Sequence, residues 1–528
     1  MAGFCARPLR AHLLSANPIR EYRLSFIQRR LANAVPGTAT LFFIQIFCTL
    51  AFAVLYSSLV LYATKHLHFP VKDAALMMGV FGAFNYGLHL FGGYLGGRFL
   101  SNRNLFVVGM LLQIIGCLII SLGTNAMLYA GLAFFLTGSG LNVTCVNMML
   151  TQRFTPADTR RESAFLWNYA GMNIGFFAGF TGAGIFQATE NYNALFIFAA
   201  VGNVIAIALT LLNWKTLADI NTPLMTMNAR QWRMRLAAGA VIVVAIVPSV
   251  WALLMHPVST GALVKGFSAF VFAVIAWLAL RHPDRRERKN MFAYLILAVG
   301  SLTFWALYQM APNGLQIFAE HNVDRMVMGF EVQPQWIQNI NCMVIVFGGP
   351  LLAAWFARLR LKGWKIDIPK QFAGAVILMG IGFLCLPIGI RLADPVSGQS
   401  AFVWLFLSYV FQSVGELLIS PIGYAMIGRL APRQYQGSMM GAWMLVTGVA
   451  SLFAGDFSSM VPDPGAGSPL TTNAGYATLF SSLGWGSVAV GVALVCLIPF
   501  LNKLIQDAPA AVDTPVTPAG KVDTAKAA

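Results

Sequence analysis

Apolar residues run along this chain in unbroken blocks rather than in one-sided stripes. Leu41 to Ala63, Leu105 to Leu122, Ala194 to Leu212, Leu236 to Leu254 and Ala477 to Leu501 all approach the ~20 apolar residues that a helix needs to cross hydrocarbon. The helices of a soluble domain would instead show polar positions every three or four residues. The blocks end on Pro, Gly, Asn or clusters of charge, the residues that punctuate helices. Divided there, the sequence predicts fourteen spanning helices, roughly 38–64, 73–97, 104–123, 127–152, 161–186, 192–213, 236–256, 263–281, 290–318, 336–360, 370–392, 400–428, 434–460 and 474–501.

Composition agrees with an all-α integral membrane protein. The 528 residues are 58% hydrophobic and 10% charged, against about 25% charged in soluble domains. A net charge of +16 invites a nucleic-acid reading, but its distribution argues for topology instead. With the N-terminus inside, 30 of the 35 Lys and Arg fall in inner segments, and Lys65, Lys72, Lys265, Arg325 and Arg391 remain outside. Basic residues concentrate in cytoplasmic loops, and an odd number of spans would scramble this sorting. The same division leaves no Lys or Arg for the membrane interior. The seven cysteines are scattered without a CxxC pair, so neither a metal cluster nor a disulfide framework is expected. No signal-peptide pattern opens the chain.

The domains expected are a cytoplasmic N-terminal tail (1–36), a six-helix bundle (37–215), a linker with two additional transmembrane helices (216–289), a second six-helix bundle (290–505) and a disordered cytoplasmic tail (506–528). Two six-helix halves enclosing a site near the midplane form the plan of major facilitator transporters, which work by alternating access.

Ionisable groups inside spans are costly and mark function. Glu416 lies in the middle of its span, within Phe411-Gln412-Ser413-Val414-Gly415-Glu416, and reads as a cavity-facing proton carrier. His89 reads as a packing histidine and Asp456 as a solvated helix end. Asn147, Asn168, Asn173, Gln309, Asn339 and Asn341 read as amides joining helices. Tyr86, Tyr169 and Trp443 read as core or interface aromatics rather than substrate walls. Gly92-Gly93-Tyr94-Leu95-Gly96-Gly97-Arg98 is too weak a pattern for a phosphate loop. With no nucleotide loop, metal-ligand set or nucleophile–base pair, neither an enzyme nor a cofactor is expected.

Several stretches resemble proton-dependent oligopeptide transporters, bacterial di- and tripeptide permeases above all. Leu59-Val60-Leu61-Tyr62-Ala63-Thr64-Lys65-His66-Leu67 resembles the end of their first helix, and Tyr86 with Gly92-Gly93-Tyr94-Leu95-Gly96 their second. Phe165-Leu166-Trp167-Asn168-Tyr169-Ala170-Gly171-Met172-Asn173-Ile174-Gly175 resembles their fifth-helix signature. Phe411 to Ser420 resembles the tenth, and Gly441-Ala442-Trp443 the eleventh. The resemblance spans about residues 38–500. It implies that Asn173, Asn341 and Glu416 receive a peptide amino group and that Tyr86, Tyr169, Ser420 and Trp443 line the cavity. It also implies proton-coupled symport in a bacterial inner membrane. A carboxylate flanked by two amides is a good ammonium receptor in a low-dielectric cavity.

The departures are concentrated in one place. Where the family carries a first-helix Glu-x-x-Glu-Arg motif, this chain has Gln45, Cys48 and Thr49, followed by Phe52 and Ala53 in place of two tyrosines. The fourth-helix lysine falls at Val143, the seventh-helix acid at Gln309, and the inner-loop Asp at Gly97. The charges for a peptide carboxylate are therefore absent in both signs, which avoids stranding a buried acid. The expected solute is a short peptide or a peptide-like amine. A modified peptide such as a siderophore and a non-transporting sensor with the same fold are the other readings. The orientation has a direct test. A single cysteine placed between Arg281 and Asn290 should resist an impermeant thiol reagent in intact cells, and ready labelling would invert the topology.

Overall fold

The computed structural model describes residues 35–505 apart from 156, 157, 159, 365, 464 and 466. Both expected tails lie outside the described residues, except for Val35 and Pro36. Long helices dominate: α1 Thr38–Leu61, α2 Val71–Leu95, α3 Asn102–Ile120, α4 Asn125–Thr151, α5 Arg160–Ala188, α6 Tyr192–Leu212, α7 Ala229–Leu254, α8 Pro257–Arg281, α9 Arg285–Tyr308, α10 Asn339–Leu361, α11 Ile368–Arg391, α12 Phe402–Leu430, α13 Gln436–Ser458 and α14 Pro469–Leu504. Thirteen of them are long and apolar enough to cross a membrane. The remaining one, α5, is diluted by Asn168, Asn173, Gln187 and a glycine series. Those glycines are there for packing. A Cβ on Gly175 would sit 2.4 Å from the Ile46 carbonyl oxygen, and one on Gly179 would sit 2.5 Å from the Ala53 Cβ. Small residues one turn apart let two backbones approach closely, which drives helix pairing in lipid.

Helices α1–α6 pack chiefly among themselves, as do α9–α14. The α7–α8 pair lies to one side. Helix α7 rests on α4 and α2, and α8 rests on α9 and α13 with a lesser contact to α2. This is the major facilitator fold with one added helix pair. Three expectations need correction. The span placed at 290–318 is not one helix: α9 ends at Tyr308, and a separate helix, Gly314–Asn322, follows a turn. Pro312 supplies the reason, since it lacks an N–H and clashes with the preceding turn. Helix α8 begins at Pro257, so Lys265 lies two turns inside it rather than in an outer segment. There it forms an ion pair with Asp456, so Asp456 is not a free solvated helix end. The pair joins α8 to α13 beside Leu76, Val80 and Leu452, and it neutralises two charges that would each be costly alone.

The two halves meet at one end of the bundle and part at the other. At the meeting end, α2 packs on α13 so closely that a Cβ on Gly79 would lie 2.9 Å from the Ser451 carbonyl oxygen. Helix α5 meets α10 through Thr181, whose Oγ1 accepts from Asn339 at 3.0 Å. Gln335 donates to Gln187 at 3.2 Å, and Trp336 Nε1 donates to the Thr181 carbonyl at 2.9 Å. Ion pairs seal this end. Lys65, in the π-turn closing α1, lies 2.6 Å from Glu320. Arg325 holds Glu320 at 3.2 Å and Glu331 at 3.1 Å. At the opposite end, where Arg98, Arg153, Arg160, Arg429 and Arg433 lie at or just beyond helix ends, Trp167 of α5 and Trp355 of α10 are exposed. Here the segment after α6 braces the first half: Asp219 accepts from the Asn102 backbone at 3.1 Å and from its side chain at 3.2 Å. Asn102 in turn lies against Gly97, the position at which the family resemblance puts an aspartate that this chain lacks.

The closed end is testable by crosslinking. Paired Thr181→Cys and Asn339→Cys substitutions should link efficiently with a short thiol crosslinker. Adding Gly79→Val should drive α2 off α13 and cut that yield several-fold. An unchanged yield would mean that the glycine contact does not govern closure.

Candidate functional site

The site is built on α12. Ser413, Glu416 and Ser420 recur at three- and four-residue spacing, which places them on one helix face, and Tyr424 continues that face by one more turn. Glu416 is half-buried while Tyr424 is exposed, so this face runs from the closed part of the bundle into the open cleft. Pro421 lies just beyond Glu416 inside α12. Its missing N–H leaves the carbonyl four residues back, on Leu417, without its usual helical donor.

Glu416 is held from α10. Asn341 Nδ2 donates to Glu416 Oε2 at 2.7 Å and to Ser413 Oγ at 3.1 Å. Both amide protons of Asn341 are thereby used, which fixes the flip of its side chain. Ser413 in turn donates to the Tyr409 carbonyl at 2.7 Å. Among the described residues Glu416 has no ion-pair partner. Around it stand hydroxyls. Tyr56 of α1, Tyr86 of α2, Tyr169 of α5 and Tyr308 of α9 all lie within electrostatic reach of the carboxylate, as does Cys342 of α10.

The facing wall is neutral and internally bonded. Gln45 Nε2 donates to Thr49 Oγ1 at 2.9 Å, and Gln45 Oε1 accepts from Asn168 at 3.3 Å. Asn173 donates to the Tyr169 carbonyl at 2.9 Å. Gln309 bridges the halves: it accepts from the Tyr56 hydroxyl at 2.7 Å and donates to the Tyr86 hydroxyl at 3.1 Å. A primary amide can do both at once, whereas an ionised acid only accepts. Above this bridge Phe52 stacks on Tyr56, with ring centroids 5.4 Å apart, and lies 6.2 Å from Phe176.

The seven residues singled out from the sequence are thus distributed unevenly. Asn341 and Glu416 touch, and Tyr86 and Tyr169 flank them. Asn173 is buried and committed to the backbone of its own helix, donating to the Tyr169 carbonyl rather than to Glu416. Ser420 is half-buried one turn from Glu416. Trp443 is 2% exposed, and a Cβ on Gly423 would lie 2.3 Å from its ring; it is buried against the face of α12 that carries Glu416, two turns further along. Tyr56, Tyr308 and Tyr424 are additions. Tyr56 was open to discovery, since it follows Phe52 by four residues and so occupies the same face of α1. Of the joining amides, Asn168, Gln309, Asn339 and Asn341 form bonds between helices, whereas Asn147 is exposed. His89 has a buried Nε2 with no partner, and its ring lies 6.3 Å from that of Tyr86.

Two six-helix halves around a polar cleft, closed at one end, define a membrane transporter. The POT family profile matches residues 103–470, and the chain belongs to that family. Dipeptide and tripeptide permease A of Cronobacter turicensis is 28% identical over 478 residues, which cover 90% of this chain and 94% of that one. Dipeptide and tripeptide permease B of Salmonella typhimurium is 28% identical, covering 88% and 95%. Among solved structures, a variant of the peptide transporter POT in complex with alafosfalin superposes with a TM-score of 0.77 at 25% identity, covering 89% of this chain and 96% of that one. A POT family transporter in complex with 5-aminolevulinic acid gives 0.75 at 21%, covering 88% and 97%. The protein is a multi-pass secondary transporter of this family.

The Gln309 bridge yields a stability prediction. Gln309→Leu leaves two half-buried hydroxyls without their partner and should cost ~1–3 kcal/mol. In detergent this reads as a lowered midpoint of thermal unfolding. A midpoint equal to that of the unsubstituted protein would show that the bridge contributes nothing.

Proposed function

We propose that this transporter moves short peptides or peptide-like solutes bearing a free amine, coupled to protons, across a bacterial inner membrane with both of its termini in the cytoplasm. The observation that carries the reading is Glu416: a carboxylate fixed by Asn341 beside Ser413, ringed by tyrosines, with no protein cation paired to it. Such a group can accept several hydrogen bonds from one ammonium. Hydrogen bonds between ionised partners are about twice as strong as neutral ones. The aromatic faces of Tyr56, Tyr169 and Tyr308 add cation–π attraction for the same end of the solute. Asn173, Ser420 and Tyr86 serve as neutral walls, and Trp443 packs on the same face of α12 at Gly423. Relatives named for dipeptides and tripeptides, and the crystal complexes with amine-bearing small ligands, favour a solute of this size and chemistry.

The orientation rests on the basic residues gathered at the open end. With that end cytoplasmic, the structure represents a state open to the inside and sealed outside by Lys65, Glu320 and Arg325. Glu416 also carries the coupling proton in this reading, because the usual first-helix acids are Gln45 and Cys48.

Calorimetry on the purified protein with alanyl-alanine amide should give a binding isotherm that Glu416→Gln weakens by ~10-fold or more, the scale of one charge-assisted bond. In proteoliposomes the same variant should lose transport driven by an imposed pH gradient. Unchanged gradient-driven transport in Glu416→Gln would place the coupling elsewhere, with His89 the next residue to substitute.

A further inference from the structure

We infer that Glu416 makes this protein an exchanger of cationic, carboxylate-free amines for protons, one for one, rather than a carrier of zwitterionic peptides together with protons. The inference rests on the amine-receiving role of Glu416 proposed above. It adds the charge class of the solute and the sign of the coupling.

The argument starts from what surrounds the carboxylate. From α10 come the Asn341 amide and the Cys342 thiol. From α9, α1, α2 and α5 come the hydroxyls of Tyr308, Tyr56, Tyr86 and Tyr169, and α12 itself supplies Ser413. None of these is a cation. The nearest arginine further along α12, Arg429, is roughly 20 Å away at helical rise. Lys265 lies on α8, committed to Asp456 on the far side of α13. His89 is the one further ionisable side chain bordering the cleft, and its ring faces Tyr86.

Two consequences follow. First, a bare carboxylate in a low-dielectric cleft is expensive and must be neutralised. With no protein cation to do it, the partner is a proton or the ammonium of the solute. These two are mutually exclusive on one group. Loading the solute turns Glu416–COOH plus R–NH3+ into the Glu416–COO−/R–NH3+ pair, and one proton is released on the side where the solute enters. After the site turns over, a proton from the other side replaces the departing cation. One positive charge crosses in each direction, so the cycle is electroneutral. Cotransport would need a second proton site that stays occupied while the amine is bound. The first-helix positions that would supply one are Gln45, Cys48 and Thr49, and Gln45 is already bonded to Thr49 and Asn168.

Second, the carboxylate end of a zwitterionic peptide would meet only neutral amides and hydroxyls, with no cation among them. Desolvating an anion against such a wall costs several kcal/mol. A solute whose far end is an amide, ester or aromatic group avoids that cost, and Phe52, Phe176 and Tyr56 offer an apolar surface to receive it.

The two ideas separate in one set of measurements on the full chain. The protein is reconstituted with a pH-sensitive dye inside the vesicles and the membrane potential clamped, with protein-free vesicles correcting for passive entry of neutral base. Alanyl-alanine amide added outside should alkalinise the lumen, and alanyl-alanine should give little signal. The signal should vanish in Glu416→Gln and survive in Glu416→Asp, which keeps the acid and guards against a folding defect. In detergent the amide should bind at least ~10-fold tighter than the free peptide. Acidification of the lumen on addition of either compound, amide uptake without proton movement, or tighter binding of the free peptide would overturn the exchange proposal. In any of those cases, binding of the amide that is lost in Glu416→Gln leaves the amine-receiving role standing. No binding of either compound removes both.

Discussion

The organisation of this protein turns on one carboxylate midway along α12 that has no cation paired to it among the described residues. Everything near Glu416 is arranged to hold it without neutralising it. Asn341 spends both of its amide protons on Glu416 and Ser413. The tyrosines of four helices border it. The positions across the cleft where the family resemblance leads one to expect charge carry amides and hydroxyls. A charged group in hydrocarbon is tolerated only where it faces a cavity or a partner, so the cleft is required by the acid as much as the acid is served by the cleft.

The neutral substitutions form a coherent set. Removing a buried cation alone would strand its acid, and removing the acid alone would strand the cation, each at several kcal/mol. In this chain both are absent, and the vacated positions are bonded to one another: Gln45 to Thr49 and Asn168, Gln309 to Tyr56 and Tyr86. Gln309 in particular links the halves by hydrogen bonds whose strength does not depend on protonation. Closure at that level is therefore insensitive to the protonation state of Glu416. The charged part of the seal has moved to the end of the bundle, to Lys65, Glu320 and Arg325.

Much of this was legible in the sequence, and what was not has identifiable causes. Block length and punctuation locate the long helices because hydrocarbon thickness imposes their length. The merged span at 290–318 failed because Ala311-Pro312-Asn313-Gly314 breaks a stretch that stays apolar on either side, and hydropathy is blind to such a break. Lys265 was placed in a loop because a lysine usually marks a span end; its partner Asp456 is 191 residues away, and nothing local announces the pair. Glu416 stood out because an acid in the middle of a span is rare. The Tyr56–Gln309–Tyr86 bridge was out of reach, since it joins α1, α2 and α9 and depends on how the two halves close. Trp443 illustrates the opposite limit: its motif is intact, but its ring is buried against Gly423 of α12, and a motif does not say how much of a side chain stays exposed.

The added helix pair has a mechanical consequence. Helix α7 is packed on the first half and α8 mainly on the second, with the Lys265–Asp456 pair fastening α8 to α13. If the halves rock about the central site, as alternating access requires, the α7–α8 pair must take up the relative motion. The turn at Met255–His256 and Pro248 within α7 are the places that can bend, because a helix-interior proline removes one backbone bond and kinks the axis. Fixing α8 through the Lys265–Asp456 ion pair confines that bending to α7 and the turn. It also keeps α8 moving with the half that carries Glu416, so the acid travels with Asn341, Ser413 and Tyr308 while Tyr56, Tyr86 and Tyr169 and the facing wall of Gln45, Thr49 and Asn168 move with the other.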